Sequence, residues 1–137
     1  MYSKNNRDEM LTEPVSVLYR PVGKAELEKI EKSNFRAFPP RLPEQPIFYV
    51  VMTLEYAVQI AKDWNTRDER SGFSGYVTRF RVRADYLGRY DIRIVGSSRI
   101  HREYWIPAEA IDEFNANIVG EIEVVEKFIL EKNQPCT

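Results

Sequence analysis

The sequence predicts a single α+β domain, and three observations support this fold class. The chain has 137 residues, which is enough to bury one hydrophobic core and too few for a second. Its composition, with 43% hydrophobic and 30% charged residues, is that of an ordinary globular protein. Stretches in which apolar residues alternate are interspersed with stretches in which they recur at helical spacing, so the pattern predicts both strands and helices.

Strands are predicted where apolar residues alternate or where β-branched and aromatic residues cluster. The alternation is strictest in Tyr76–Arg83, where one face carries three arginines. The run Ile47–Met52 is almost continuously apolar, which favours a central position in the sheet. The other predicted strands are Val15–Arg20, Tyr90–Val95, the stretch that ends at Pro107, and Ile122–Phe128.

Helices are predicted where apolar residues recur every three or four positions. The clearest one follows Thr53, a good N-cap residue, and closes near Asn65. Its predicted buried face consists of Leu54, Ala57, Val58, Ala61 and Trp64. The other predicted helical segments are Lys24–Lys32, the turn Ala84–Leu87 and a helix from Pro107 to about Asn115.

Three connections are distinctive. Phe35–Pro46 contains four prolines, so it is predicted to be a stiff, extended loop that either walls a binding cleft or wraps the surface. Asn65–Gly75 carries two glycines among charged residues and is predicted to be a flexible connection. Ile118–Gly120 is predicted to be a turn.

The two ends of the chain are polar and lack hydrophobic periodicity. We therefore expect a mobile arm at 1–13, a domain at 14–130 and a tail at 131–137 that contains the lone Cys136. No apolar run approaches the roughly 20 residues of a membrane span, and the polar start lacks the apolar region of a signal peptide. These features predict a cytoplasmic protein with no membrane partner.

The net charge is only −1, but the middle of the sequence is basic. Residues 67–102 hold nine arginines, four acidic residues and no lysine. Arginine without lysine favours contact with phosphate, whereas the near-neutral total argues against general nucleic-acid binding. For the arginines of strand 76–83, two interpretations remain open, a solvated face or a phosphate contact.

The stretch Ile100–Pro107 carries the main candidate for a catalytic residue. Glu103 begins a bulky β-like run that Pro107 ends. A carboxylate on a strand at the edge of a core can face a partly desolvated cleft, where its charge acts strongly on a developing cation. The alternative is that Glu103 is a solvated charge at a strand end.

A second candidate, Arg20, stands at the end of the first predicted strand. It either presents a guanidinium to a phosphate or belongs to a surface ion pair. Other kinds of site are excluded, because His101 is the only histidine and the sequence has no metal-ligand cluster, P-loop, dinucleotide fingerprint or nucleophile elbow.

The order of these parts resembles the ADP-ribosyltransferase fold, in its arginine-serine-glutamate branch. The resemblance covers roughly residues 15–129 and rests on Leu18-Tyr19-Arg20 and three longer stretches, IFYVVMTLEYAVQIAKDW, HREYWIP and GEIEVVEKF. The chain also resembles small bacterial proteins that carry an ADP-ribosylation label. The resemblance implies central antiparallel or mixed sheets that are split around a cleft and flanked by short helices.

The resemblance further implies NAD as a substrate, used for ADP-ribosyl transfer or for NAD glycohydrolysis. Glu103 would hydrogen-bond the ribose and oppose the charge of an oxocarbenium-like transition state, while Arg20 would hold a phosphate. Tyr19 and Tyr49 would either stack on nicotinamide or pack in the core. The acceptor of the ADP-ribose and the oligomeric state stay open.

Two positions depart from the family pattern. His101 stands two residues before Glu103, where members that modify arginine often have an acid; it is either a general base for the acceptor or a structural histidine. The middle strand lacks a Ser-Thr-Ser run, and the nearest hydroxyl is that of Thr53, which is either a site residue or only a helix cap.

Two other functions compete with NAD cleavage. One is a noncatalytic module that keeps the fold and binds a nucleotide or a protein, in one version through the arginine face of Tyr76–Arg83. The other is the removal of a phosphate from RNA, which a related branch of the fold performs with NAD. That branch needs several basic residues in the site, and this chain offers arginines but one histidine.

Overall fold

The computed structural model describes residues 13–130, and in them six strands form one sheet. The strands are β1 (Val15–Val22), β2 (Ile47–Val51), β3 (Ser74–Arg83), β4 (Ile92–Ile94), β5 (Arg102–Pro107) and β6 (Ile118–Ile129). Their order across the sheet is β4-β5-β2-β1-β3-β6, and every pair of neighbours is antiparallel. The protein is therefore an α+β domain built on a single antiparallel sheet.

Within the described residues, four short α-helices flank the sheet. They are α1 (Lys24–Lys32), α2 (Leu54–Asp63), α3 (Ala84–Leu87) and α4 (Ile111–Ala116). Thr53 caps α2 by accepting a hydrogen bond from the Tyr56 amide at 3.1 Å, as the sequence predicted. Within residues 13–130, none of the helices has the length and apolar character needed to cross a bilayer.

The main core lies on the face of the sheet that α1, α3 and α4 cover. Its centre is a group of aromatic rings whose centroids lie 4.9 to 6.1 Å apart, namely Phe38, Phe48, Phe80 and Phe114. A smaller core lies on the other face, where Ala57 and Ala61 of α2 pack against the sheet. A Cβ atom at Gly75 of β3 would stand 2.4 Å from the Ala61 carbonyl oxygen, so glycine permits the close approach of α2.

The sheet opens between β1 and β2. β1 pairs with β3 at eight positions, but it pairs with β2 at one position only, where Tyr19 lies opposite Val51. The Arg20 side chain reaches across the opening and donates a hydrogen bond from Nη1 to the Tyr49 carbonyl at 2.7 Å. The Arg20 side chain thus satisfies a β2 carbonyl that would bond to the backbone of β1 if the two strands were paired along their length.

The expected architecture of several sheets, antiparallel or mixed, differs from this structure. Residues 13–130 contain one sheet, and the split is confined to the junction of β1 and β2. A single shared pair at this junction keeps both halves in one hydrogen-bonded ladder. Hydrophobic patterning reports which residues are buried but not how many pairs two strands share, so the sequence did not reveal this.

Several segment boundaries also differ from prediction. Pro107 ends β5, opposite Ile47, and a 3₁₀ turn precedes α4, so the proline does not open the helix. Ile118–Gly120 begins β6 instead of forming a turn, and Gly120, with a φ of 83°, accommodates an irregular ladder there. β4 covers three residues, fewer than the predicted strand Tyr90–Val95.

The connection Asn65–Gly75, predicted to be flexible, is instead packed and hydrogen-bonded. It forms two 3₁₀ turns in which the Asn65 amide donates to the Ser71 hydroxyl at 2.9 Å, and both side chains are buried. Helix α1 has the predicted bounds. The predicted arm at 1–13 and tail at 131–137 lie outside the described residues, apart from Glu13, which forms an ion pair with Arg83.

Candidate functional site

A cavity of about 1080 Å³ lies where β1 and β2 separate. This volume is slightly above the usual range for small-molecule sites, about 300–1,000 Å³. Its walls come from the ends of β1 and β2, from α1 and α2, from the proline-rich loop and from the connection after α2. The proline-rich loop, predicted either to wall a binding cleft or to wrap the surface, contributes Pro39, Pro40 and Arg41 to the wall of the cavity.

The opening lets side chains from both faces of the sheet reach one space. Glu103 and Tyr19 both lie opposite Val51, so these three side chains project from the same face. Arg20 follows Tyr19 in β1 and projects from the opposite face. In a continuous sheet, Arg20 and Glu103 would be separated, but here both line the cavity.

Arg20 is almost fully buried, with 8% of its surface exposed. Its Nε and Nη2 atoms donate to the two carboxylate oxygens of Glu26 at 2.7 and 3.0 Å, and its guanidinium lies 4.5 Å from the centre of the Phe48 ring. Together with the bond to Tyr49, three of its five N–H groups are occupied. The other two N–H groups make no hydrogen bond to the described residues.

A second guanidinium, that of Arg41, lies beside this pair. Its Nη1 atom is 4.0 Å from Glu26 Oε1, and its buried Nε atom has no hydrogen-bond partner among the described residues. Burial and the positive charge of Arg20 lower the pKa of Arg41, against the opposing effect of Glu26. Two cations therefore share one carboxylate, which makes this end of the cavity attractive to an anion.

Glu103 stands at another part of the cavity wall and is 7% exposed. Its Oε1 atom accepts a hydrogen bond from the Tyr56 hydroxyl at 2.7 Å, and its Oε2 atom accepts one from the indole N–H of Trp105. Within residues 13–130, no cation forms an ion pair with it. Two neutral donors thus fix the orientation of the carboxylate and leave its charge unpaired.

Tyr56 of α2 is the donor in its hydrogen bond with Glu103. Burial raises the pKa of the Tyr56 hydroxyl above its ordinary value, and the hydrogen bond and charge of Glu103 raise it further. The rings of His101 and Tyr56 pack edge to face, with their centres 4.8 Å apart. His101 Nδ1 accepts from the Ser97 amide at 2.9 Å, so Nε2 carries the proton and donates to Gln59 at 2.9 Å.

The structure brings some of the predicted site residues together and not others. Glu103, Arg20 and Tyr49 line the cavity. His101 does not line it, but its ring packs against that of Tyr56, which does. Tyr19 packs with the smaller core, and the Thr53 hydroxyl is used in capping α2 and in donating to the Ile100 carbonyl at 2.8 Å.

The arginine face of β3 lies away from the cavity. Arg79 pairs with Glu123 at 3.0 Å, and Arg83 pairs with Glu13. Arg81 is exposed. The face is therefore solvent-facing and partly neutralised by neighbouring acids, which weakens the case for a phosphate site there.

Sequence reasoning did not name Glu26, Tyr56 or Trp64 as site residues, and it placed Arg41 only within a loop that could wall a cleft. Trp64 was predicted to be buried with the apolar face of α2, but it is 59% exposed at the cavity rim, and Leu54 is 39% exposed. The helical period could have pointed to Tyr56, because Tyr56 and Ile60 are four residues apart on one side of α2 and both line the cavity.

No metal site is evident in the described part of the chain, where no three His, Cys, Asp or Glu side chains cluster. The cavity instead combines a pair of guanidinium groups, a carboxylate with no cationic partner and exposed aromatic rings. Comparisons of the chain with protein-family models, with curated proteins and with solved structures gave no match.

Proposed function

We propose that the protein binds NAD in this cavity, cleaves the bond between nicotinamide and ribose, and passes ADP-ribose to an acceptor or to water. One observation carries the proposal. Glu103, whose carboxylate has no cationic partner among the described residues, lines the same cavity as the guanidiniums of Arg20 and Arg41. NAD requires both features, because a diphosphate lies a short distance from a bond whose cleavage creates a cation.

The leaving group explains why one carboxylate suffices. When the bond from ribose C1′ to the pyridinium nitrogen breaks, its electron pair neutralises that nitrogen, and nicotinamide departs without accepting a proton. Hydrolysis of an ordinary O-glycoside needs a second carboxyl group as a general acid. Glu103 only accepts hydrogen bonds, from Tyr56 and from Trp105. This arrangement suits a carboxylate that stabilises the positive charge of the transition state, and not an acid that donates a proton.

Glu103 also has room for a hydrogen bond to the sugar. A carboxylate offers about four acceptor positions, and the protein occupies two of those on Glu103. A ribose hydroxyl can take a third position and place the developing positive charge near the carboxylate. The acceptor or water then forms the new bond to C1′, and its proton passes to solvent.

The rest of the cavity suits the rest of NAD. The diphosphate is assigned to Arg20 and Arg41, and Lys29, three residues after Glu26 in α1, also lines the cavity. Two aromatic side chains at the cavity, Tyr49 and Trp64, are 42% and 59% exposed and can stack on the rings of the dinucleotide. His101 receives a positioning role through Tyr56, because it does not line the cavity.

The test is to incubate the purified protein with NAD and to measure the nicotinamide that is released, by chromatography. Glu103→Gln should lower the rate by about 10²–10³-fold, since a preorganised charge is lost. Arg20→Ala should weaken NAD binding, measured by calorimetry. Glu121→Gln is the matched control, because Glu121 is exposed on β6 and is not part of the cavity.

The outcomes separate the competing functions. Nicotinamide release that depends on Glu103 supports the proposal. NAD binding without release, under all conditions and with candidate acceptors added, would favour the noncatalytic alternative. Neither release nor binding would overturn the proposal.

A further inference from the structure

The Glu26 carboxylate occupies the face of Arg20 to which a phosphate would bind. A bidentate contact between a guanidinium and a carboxylate has the same geometry as one between a guanidinium and a phosphate. Glu26 forms this contact through both oxygens, at 2.7 and 3.0 Å, and is itself part of the cavity wall. An anion that enters must therefore either displace Glu26 or bind beside it.

Displacing Glu26 is unfavourable for a small anion. Arg20 is buried, and only 18% of the Glu26 side chain is exposed. Water therefore screens the attraction between the two charges only weakly. Removing one partner of a buried ion pair leaves the other charge buried and uncompensated, which is strongly unfavourable. A single phosphate would gain only the contact with Arg20, and it would also be repelled by the nearby negative charge of Glu26.

Binding beside Glu26 is possible for an anion with two linked phosphates. Two N–H groups of Arg20 make no hydrogen bond to the described residues. Arg41 lies beside the same carboxylate, with its Nη1 atom 4.0 Å from Glu26 Oε1, and its Nε atom has no partner among those residues. Lys29 lies one turn along α1 from Glu26 and also lines the cavity. An anion that spans these donors gains three cations against one carboxylate.

We propose that Glu26 makes this end of the cavity selective for diphosphates, by occupying Arg20 and so rejecting anions with a single phosphate. Arg41 provides the second half of the site. The inference deepens the proposed function, because the diphosphate of NAD is the expected occupant. Its test measures binding alone, so it can fail while nicotinamide release is observed, and it can succeed while release is absent.

The experiment is isothermal titration of the full-length protein with inorganic pyrophosphate and with inorganic phosphate. Wild-type protein should bind pyrophosphate at least tenfold more tightly than phosphate. Glu26→Gln removes the competing charge but keeps an acceptor oxygen for Arg20, and it should raise phosphate affinity at least tenfold. Glu28→Gln, an exposed change on the same helix, should leave both affinities unchanged.

A second variant protects the test if Glu26→Gln fails to fold. Arg41→Gln should lower pyrophosphate affinity at least tenfold and leave phosphate affinity within about twofold, since the proposal assigns the second phosphate group to Arg41. Equal affinity of the wild-type protein for the two anions would overturn the proposal. A Glu26→Gln protein that folds but gains no phosphate affinity would overturn it as well.

Discussion

Replacing Tyr56 with phenylalanine removes one of the two donors that hold the Glu103 carboxylate. The hydroxyl donates at 2.7 Å to a carboxylate that is 7% exposed, so solvent replaces the lost bond poorly. A hydrogen bond to a charged group contributes about 1.5–3 kcal/mol to stability. For a domain of this size, that loss corresponds to a decrease in Tm of about 5–10 °C.

Thermal unfolding followed by circular dichroism measures this effect. Tyr76→Phe is the matched control, because the Tyr76 hydroxyl makes no hydrogen bond within the described residues, and its Tm should stay within about 2 °C of wild type. A double-mutant cycle with Glu103→Gln isolates the pair, and a coupling energy of at least about 1 kcal/mol is expected. If Tyr56→Phe has the same Tm as the wild-type protein and the cycle gives no coupling energy with Glu103→Gln, then Tyr56 does not hold Glu103.

Two further predictions concern stability. The pKa values of Tyr56 and Tyr86 are raised, chiefly by burial, so both stay protonated in the folded protein while unfolded tyrosine ionises near pH 10. Stability should therefore be retained below about pH 10 and fall above it, and in chemical denaturation Tyr56→Phe should show a smaller fall between pH 9 and 11. Gly75→Ala should destabilise the protein by about 1–3 kcal/mol, because the new methyl group collides with the Ala61 backbone at 2.4 Å. Gly88→Ala, where the nearest atom is 3.4 Å away, should have no comparable effect; equal stability of the two variants would contradict the close approach of α2.

Much of the fold could be predicted from the sequence, because local patterns determine it. The alternation in Tyr76–Arg83 identified β3, and the hydroxyl of Thr53 before an apolar period identified the start of α2. Helix α1 was predicted to its end residues. In each case the residues that form the element also carry its pattern, so nothing from distant parts of the chain was needed.

The site was only partly predictable, because it depends on how distant segments meet. Glu103 and Arg20 were named from their positions at strand ends, but strand parity places them on opposite faces of the sheet. Only the separation of β1 from β2 beyond Tyr19 and Val51 brings both into one cavity, and no local pattern encodes that separation. The partners Glu26 and Tyr56 were missed for the same reason, since each contacts a residue of another element.

Whether the two ends of the cavity act on one molecule is best tested by measuring NAD binding and nicotinamide release side by side in two variants. Glu103→Gln should bind NAD with a Kd within about threefold of wild type and lose release, since the carboxylate acts mainly in the transition state. Arg20→Ala should lose NAD binding at least tenfold. If the two variants are impaired equally in binding, or if neither is impaired in release, the account of a divided cavity is wrong.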